Sequence, residues 1–364
     1  MPLYNAGKYI RESVESLLDQ SFDDFELICI NDCSADETVE IVKEYEQKDN
    51  RITILSNDVN KGAAFCRNRG IEVAKGEYIC FLDGDDYFEK DLIKKCYSTA
   101  IMNMADVVIF NYSHFCSEEI YQTRYVGREK EYYDKYANHV FSFRHYGDPG
   151  IVPELTATCN KFYKRSFILQ NGLRFQNIPR QNDVYFLLMA IFVSERTIVL
   201  DDDRAMVHAR DHDESTRITN NKNPFCIYYA ILELLVGLSE RRILIDVAPY
   251  YHMFFGIIVS GMHDTQNPNK SKQLEYYEFL RDKGIGQIND IIYNNGCVID
   301  DLSRAIGLSF SLSYKTEWWE LEEDEWIGFI LRTYKKRVIG LINNGYDLCV
   351  WGIGKNGKAF IDFC

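Results

Sequence analysis

The sequence lacks the surplus of basic residues that nucleic-acid binding demands. Its 41 lysines and arginines stand against 55 aspartates and glutamates, a formal charge of −14. Phosphate neutralisation needs clustered cations, so nonspecific nucleic-acid binding is a poor fit. Charge alone would not hold such a chain on anionic lipid either. Metal-type cysteine pairs are also missing: eleven cysteines are scattered with no CxxC spacing, and Cys29 and Cys80 sit inside apolar runs. That pattern fits free thiols in a reducing compartment rather than disulfides or zinc. No run of about 18 apolar residues is available to span a bilayer. The longest candidate, IYYAILELLVGL from Ile227, is interrupted by Glu233 and reads as a core helix. No signal-peptide pattern, internal repeat or low-complexity tract stands out, so the expected location is cytoplasmic.

What is present, over the first hundred residues, is alternation. Ile10, Val14, Leu17 and Leu18 give residues 7–19 helical spacing. FELICIND (25–32) is a short apolar run ending in polar residues, and SADETVEIVKEYEQK follows as a helix in which Ser34 and Glu37 fit a capping box. Asp36 there reads as first-turn charge complementing the helix dipole. RITILSN, residues 62–75, EYICFLD, a helix after Asp91 and ADVVIFN continue the series. Strands separated by helices of this length predict an α/β fold, a doubly wound, mainly parallel sheet with helices on both faces. Ligands of such sheets gather at the carboxyl ends of strands, where Asn31, Asp32, Asn57, Asp83 and Asp85 fall. One irregularity is the opening MPLYNAGKYI, which shows no strand before the first helix. Either the start is truncated or the sheet lacks a member.

The stretch YICFLDGDDYF (78–88) runs an apolar strand into Asp83, Asp85 and Asp86. Two carboxylates one residue apart can share a divalent cation and the surroundings of a diphosphate, since Mg²⁺ and Mn²⁺ take oxygen ligands. The alternative is a solvated turn. Gly84 allows close backbone approach.

At this point the chain resembles a family 2 glycosyltransferase of the GT-A, nucleotide-diphosphosugar-transferase fold. PLYN (2–5), ESLLDQSFDDFELICINDCSADET (15–38) and NKGAAFCRNRGIEVAKGEYICFLDGDDYFEKD (60–91) match its spaced motifs in order. The similarity is dense over residues 2–92 and looser to about 217. It implies a donor site that includes Pro2, Tyr4 and Asn5. Asp32 would accept a hydrogen bond from the nucleotide base, with a helix-flanking polar residue as the alternative. Lys61, Arg67 and Asn68 would lie near the nucleotide at a helix N-terminus, Lys61 equally fitting a surface ion pair. Asp83 and Gly84 would sit by the ribose, and Asp85 would bind the Mn²⁺ or Mg²⁺ that bridges the diphosphate. Asp86 would be structural. Asp183, in PRQNDVYFLLMAIF, stands where the family keeps its catalytic base, although Asn182 departs from the usual Glu, and an N-cap role competes. Thr156, Thr158, Asn160 and Lys161 belong to the segment lining the donor-sugar side in relatives. His208, Arg210 and His212 fall on one strand face, where relatives place diphosphate or metal contacts. His208 is thus a second metal candidate, with structural histidines as the competing reading.

The resemblance implies an inverting, metal-dependent transferase moving a sugar from a UDP-sugar donor to a hydroxyl of a saccharide or lipid-linked saccharide, in surface polysaccharide assembly. Peripheral attachment at the inner membrane face and a homo-oligomer are compatible with it. The alternative is a catalytically inactive binding or scaffold module, motivated by the absent first strand. Three regions are expected: residues 1–220 as the GT-A domain, 221–345 as a helical region, and 346–364 as the opening of a truncated Rossmann-like unit. The last contains GIGKNG (352–357), which satisfies G-x-G-x-x-G. It is followed by only seven residues and is not taken as a working cofactor site.

Overall fold

The computed structural model describes residues 1–116, 119–124, 136–137, 139–146, 157–202, 204–210, 223–260 and 270–297. The chain starts with β1 (Pro2–Leu3), α1 (Ile10–Leu18), β2 (Leu27–Asn31), α2 (Thr38–Glu46), β3 (Ile52–Ser56), α3 (Ala63–Val73) and β4 (Tyr78–Cys80). It continues through β5 (Tyr87–Phe88), α4 (Leu92–Met102), β6 (Val107–Ile109), β7 (Tyr112–Cys116), β8 (Glu119–Arg124) and the single turn α5 (Phe143–Tyr146). Then come β9 (Lys161–Lys164), α6 (Arg165–Gln170), α7 (Val184–Val193), β10 (Thr197–Val199) and β11 (Val207–Arg210).

The expected absence of a first strand is corrected. Pro2 and Leu3 pair in parallel with Ile30 and Asn31, and Asp32 N donates to Leu3 O at 2.8 Å. The Met1 amine donates to Ile28 O at 2.9 Å. The strand is two residues long and one of them is proline, so no alternation exists to reveal it. The inactive-scaffold reading loses the feature that motivated it. A cavity of about 290 Å³ is lined by Met1, Leu27 and Ile28 together with Tyr78, Cys80 and Phe162.

Strands β1, β2 and β3 form one parallel sheet. A second runs β10-β6-β9-β4, with β10 parallel to β6 and β9 antiparallel to both its neighbours. A third, β5-β11-β7-β8, sets β11 parallel to β7 and antiparallel to β5. The arrangement is mixed, with four parallel and four antiparallel pairings among the described strands, and it is divided into three hydrogen-bonded pieces. Apolar faces fill the core: Ile10, Val14 and Leu17 of α1, Cys29 of β2 and Val108 of β6 are buried in one cluster. Helix α7 is apolar on every side and buried from Phe186 to Phe192, as a helix packed all round must be.

The predicted capping box does not form. Glu37 makes no side-chain cap bond, while Ser34 Oγ accepts from Asn5 N at 3.0 Å. Asp36 takes over the helix start, accepting from Thr38 N at 3.1 Å and from Gly7 N at 2.9 Å. Burial alone would raise the Asp36 pKa, but the Thr38 hydroxyl and these N–H groups lower it below the ordinary value.

The chain divides into two compact units, 1–146 with 151–220 and 147–150 with 221–364. In the second, α8 (Phe225–Glu240), α9 (Tyr251–Ser260), α10 (Lys270–Phe279) and α11 (Ile285–Asn294) pack through aromatic residues. Tyr228 Oη donates to Gln287 Oε1 at 2.7 Å, and Tyr276 Oη to Ile258 O at 3.0 Å. The apolar segment from Ile227 buries Ile231, Leu234 and Leu235 there, as a core helix should. Among the described residues no helix is long and apolar enough to cross a membrane. The expectations for 298–364, GIGKNG included, and those for Thr156 and His212 lie outside the described residues.

Candidate functional site

The acidic turn begins where β4 ends. Phe81 and Leu82 are buried, Asp83 and Asp85 half-buried, and Gly84 buried between them. A Cβ on Gly84 would lie 2.3 Å from Leu3 Cδ2 and 3.3 Å from Ile10 Cδ1. The close approach that glycine permits is therefore to the chain's own opening segment. Each aspartate has its own setting. Asp83 Oδ1 accepts from Arg67 Nη2 at 2.9 Å, with the Arg67 side chain 8% exposed and that of Asp83 39%. Asp86 is buried and accepts from Arg210 N at 2.9 Å. Burial first, then the Asp83 and Asp85 carboxylates, push its pKa up. The Asp85 carbonyl accepts from Arg210 Nε at 2.9 Å. Arg210 also pairs with Glu12 and lies 4.4 Å over the Tyr9 ring. The turn is thus held from below by one arginine and faced by another.

Asp32, at the end of β2, is 3% exposed. Its Oδ1 accepts from Asn57 Nδ2 at 2.7 Å and Lys61 N at 2.9 Å, and its Oδ2 from Gly62 N at 2.7 Å. It seats the loop that leads into α3, using most of the lone pairs a carboxylate offers. Gly62 stands at φ +86°, a conformation that favours glycine. Lys61 is exposed, its ammonium 4.4 Å over the Phe65 ring. Tyr4 and Asn5 are exposed beside this loop's neighbour at 33–36. Asn5 Oδ1 accepts from Ala35 N at 2.9 Å, and Asn5 and Cys33 adopt φ +51° and +62°. Pro2 stands in β1, pairing with Ile30.

Asp183 immediately precedes α7 and makes no cap bond to it. Its Oδ2 instead accepts from Thr158 Oγ1 at 2.8 Å. The capping alternative therefore loses its geometry. Arg67 joins the two acidic groups: burial opposes its charge, and the fields of Asp83 and then Asp183 more than offset that. Asn68, one residue on, exchanges hydrogen bonds with Phe175 N and O at 2.9 and 2.8 Å. Of the segment expected to line a donor sugar, the described residues Thr158, Asn160 and Lys161 are buried. Asn160 and Lys161 are 0% exposed, and Lys161 Nζ donates to Ala157 O at 2.6 Å and Asn160 Oδ1 at 2.7 Å.

His208, the second metal candidate, is engaged within the fold. The ring is 6% exposed and stacks on Tyr87 at 4.2 Å between centroids. Its Nδ1 lies 2.7 Å from Ser113 Oγ and its Nε2 2.8 Å from Glu89 Oε1. Both ring nitrogens thus have partners inside the protein. Among the described residues no group of three His, Cys, Asp or Glu side chains is arranged to hold a metal. Asp83 and Asp85 offer hard oxygen donors without closing a coordination sphere. That set suits a cation that takes its remaining oxygens from phosphate and water.

Sequence reasoning missed the clasp of Arg210, Glu12 and Tyr9 under the turn. It also missed the role of Lys161. No local pattern could show either, because Arg210 and Glu12 lie 198 residues apart in sequence.

Residues 1–168 match the sequence family described as Glycosyl transferase family 2. Glycosyltransferase GlyG of Streptococcus pneumoniae is 41% identical over 115 residues, 32% of this chain and 38% of that protein. Glycosyltransferase GlyA of the same organism is 30% identical over 203 residues, 55% of this chain and 28% of that protein. The chain thus spans less than two thirds of the length of these curated relatives. Among solved structures, S. aureus TarS 1–349 in complex with UDP-GlcNAc superposes with a TM-score of 0.65 at 20% identity, covering 92% of this chain and 90% of that one. The fold is GT-A.

Proposed function

Because residues 1–168 match the family described as Glycosyl transferase family 2, we propose that the protein is a glycosyltransferase that moves a sugar from a nucleoside-diphosphate sugar to an acceptor hydroxyl with inversion. The observation that carries this reading is the meeting of Asp83 and Asp183 about the buried Arg67. One acid belongs to the strand-end turn and pairs with Arg67, and the other heads a helix a hundred residues later, yet its field reaches the same guanidinium. A donor diphosphate beside Asp83 and Asp85 would present its sugar toward Asp183.

In this reading Asp183 removes the proton of the acceptor hydroxyl, whose oxygen forms a bond to the anomeric carbon. The bond from that carbon to the diphosphate oxygen breaks, and its electron pair leaves with the nucleoside diphosphate. Thr158 fixes the rotation of the Asp183 carboxylate. Proton removal by a placed base contributes about 10²–10⁴-fold. Asp85, with Asp83 adjacent, would hold a Mn²⁺ or Mg²⁺, which when bound supplies positive charge to the departing diphosphate. Asp32 shapes the loop over which the base would lie, and Tyr4, Asn5 and Lys61 supply its exposed edge. UDP is the nucleotide favoured, since TarS was solved with UDP-GlcNAc. The acceptor class favoured is a saccharide or lipid-linked saccharide of a surface polymer, since a curated relative from Bacillus subtilis is named putative teichuronic acid biosynthesis glycosyltransferase TuaG. The reading places the enzyme in the cytoplasm, at the inner membrane face.

The test is UDP or GDP release from a panel of UDP-GlcNAc, UDP-glucose, UDP-galactose and GDP-mannose, with Mn²⁺, Mg²⁺ or EDTA. At least one UDP-sugar should turn over in a cation-dependent way, and Asp85→Asn and Asp183→Asn should each lower the rate at least about a hundredfold. Turnover that ignores both substitutions would refute the reading, and binding of neither UDP nor Mn²⁺ would favour an inactive module.

A further inference from the structure

Lys161 is a lysine with no route to solvent, at the first position of β9, in register with Ile109 of β6. An ammonium removed from water is costly, and an apolar residue of similar volume would avoid that cost. Its two hydrogen bonds show what the amino group does. Nζ donates to Ala157 O and to Asn160 Oδ1, so it closes the irregular segment 157–160 onto the start of the strand. The same segment is anchored once more by Phe110 N, which donates to Asn160 O at 3.1 Å. Between the two gripped residues lies Thr158, 8% exposed, whose hydroxyl donates to Asp183. The route from Lys161 to the Asp183 carboxylate is thus a short covalent segment clamped at both ends.

We propose that Lys161 is a positioning residue for Asp183, its buried amino group fixing residues 157–160 so that Thr158 holds the carboxylate in one orientation. The inference rests on Asp183 being the base. The amino group acts through Thr158 and touches no substrate.

The electrostatic setting agrees with the geometry. Burial pushes the Lys161 pKa down to about 7, against Cys159 on its own segment, Asp183 at the head of α7 and Cys80 on β4, which all act to raise it. From β6 it is faced by apolar Ile109. In the unfolded chain the lysine keeps its ordinary value of 10.5. Between pH 7 and 10.5 the unfolded state therefore binds more protons, and this group favours folding increasingly as pH rises.

The test is a double-mutant cycle in the full chain, using the UDP-sugar that turns over fastest. Lys161→Met and Thr158→Val should each lower kcat about 10–100-fold, the range of a hydrogen bond to a charged group, with the donor KM within about threefold. Their combination should cost no more than about threefold beyond the worse single variant, because both break one link. Thermal melts provide a second readout: the Tm of wild type should gain on that of Lys161→Met as pH rises from 6 to 9. Unchanged kcat in Lys161→Met, or strictly multiplicative losses, would overturn the inference. Retained turnover in Asp183→Asn would sink the base assignment separately. The melts would then decide, with coupled losses of Tm upholding the clamp and additive losses overturning it.

Discussion

Arg67 Nη2 lies 2.9 Å from Asp83 Oδ1, and this pair ties the helix that opens at the Asp32-seated loop to the acidic turn after β4. A cation placed there holds one carboxylate directly and feels the field of a second, Asp183. The site is organised around a buried positive charge supplied by the protein itself.

Replacing that charge should be felt in both folding and turnover. Arg67→Met leaves Asp83 without its partner. A fully buried pair broken in this way costs about 3–5 kcal/mol; because Asp83 is partly exposed, screening reduces the expected loss to about 1–2 kcal/mol. The value of kcat/KM for the donor should fall more than about tenfold. Melting curves and donor titrations check both, and a variant matching wild type in each would show the pair to be idle.

The loop before α3 should tolerate no side chain at its bend. Gly62→Ala forces an L-residue to φ +86° with ψ 161°, at about 1–3 kcal/mol. It also shifts an N–H donated to Asp32. We expect a lower Tm together with weaker UDP binding by calorimetry. A lower Tm with UDP affinity intact would separate the loop from the nucleotide.

Arg210 should govern the turn without touching a ligand. Arg210→Met keeps the backbone bond to Asp86 but removes the contacts to the Asp85 carbonyl and to Glu12. The apparent affinity for Mn²⁺ in the turnover assay is expected to fall about tenfold, the size of one charged hydrogen bond. Saturating Mn²⁺ should restore most of the rate. No change in the Mn²⁺ titration would remove Arg210 from the account.

Acid sensitivity should trace in part to Asp202. Burial works against its charge, but Arg204 and Lys95 hold its carboxyl well below the usual range. With the folded pKa depressed, its contribution is complete above the ordinary value of 3.8 and is lost as pH falls below it. Asp202→Asn should therefore lower Tm at pH 6 and show a shallower decline below pH 4. Parallel wild-type and variant profiles across that range would contradict this.

Periodicity carried most of the α/β reading, because β2 and α1 present apolar faces, whereas the buried side of α3 includes Arg67. It failed at Pro2–Leu3, too short for any period, and at Ser34–Glu37, where Asp36 captured the helix start through a contact with Gly7 that is distant in sequence. Motif order led to Asp83, Asp85 and Asp183. What it could not supply was the inward packing of Lys161 or the engagement of both His208 nitrogens. Both depend on strands that meet only in the folded sheet: Ser113 and Glu89 reach His208 from β7 and from beside β5.

The contact between Gly84 and Leu3 links two motifs that lie eighty residues apart. With only 2.3 Å between a hypothetical Cβ at 84 and the leucine methyl, the sizes of these residues are not independent variables. Homologous chains carrying alanine or serine at the former position should carry a trimmed residue at the latter. A Leu3→Ala background should rescue Gly84→Ala, so evolutionary drift at one locus is gated by the other.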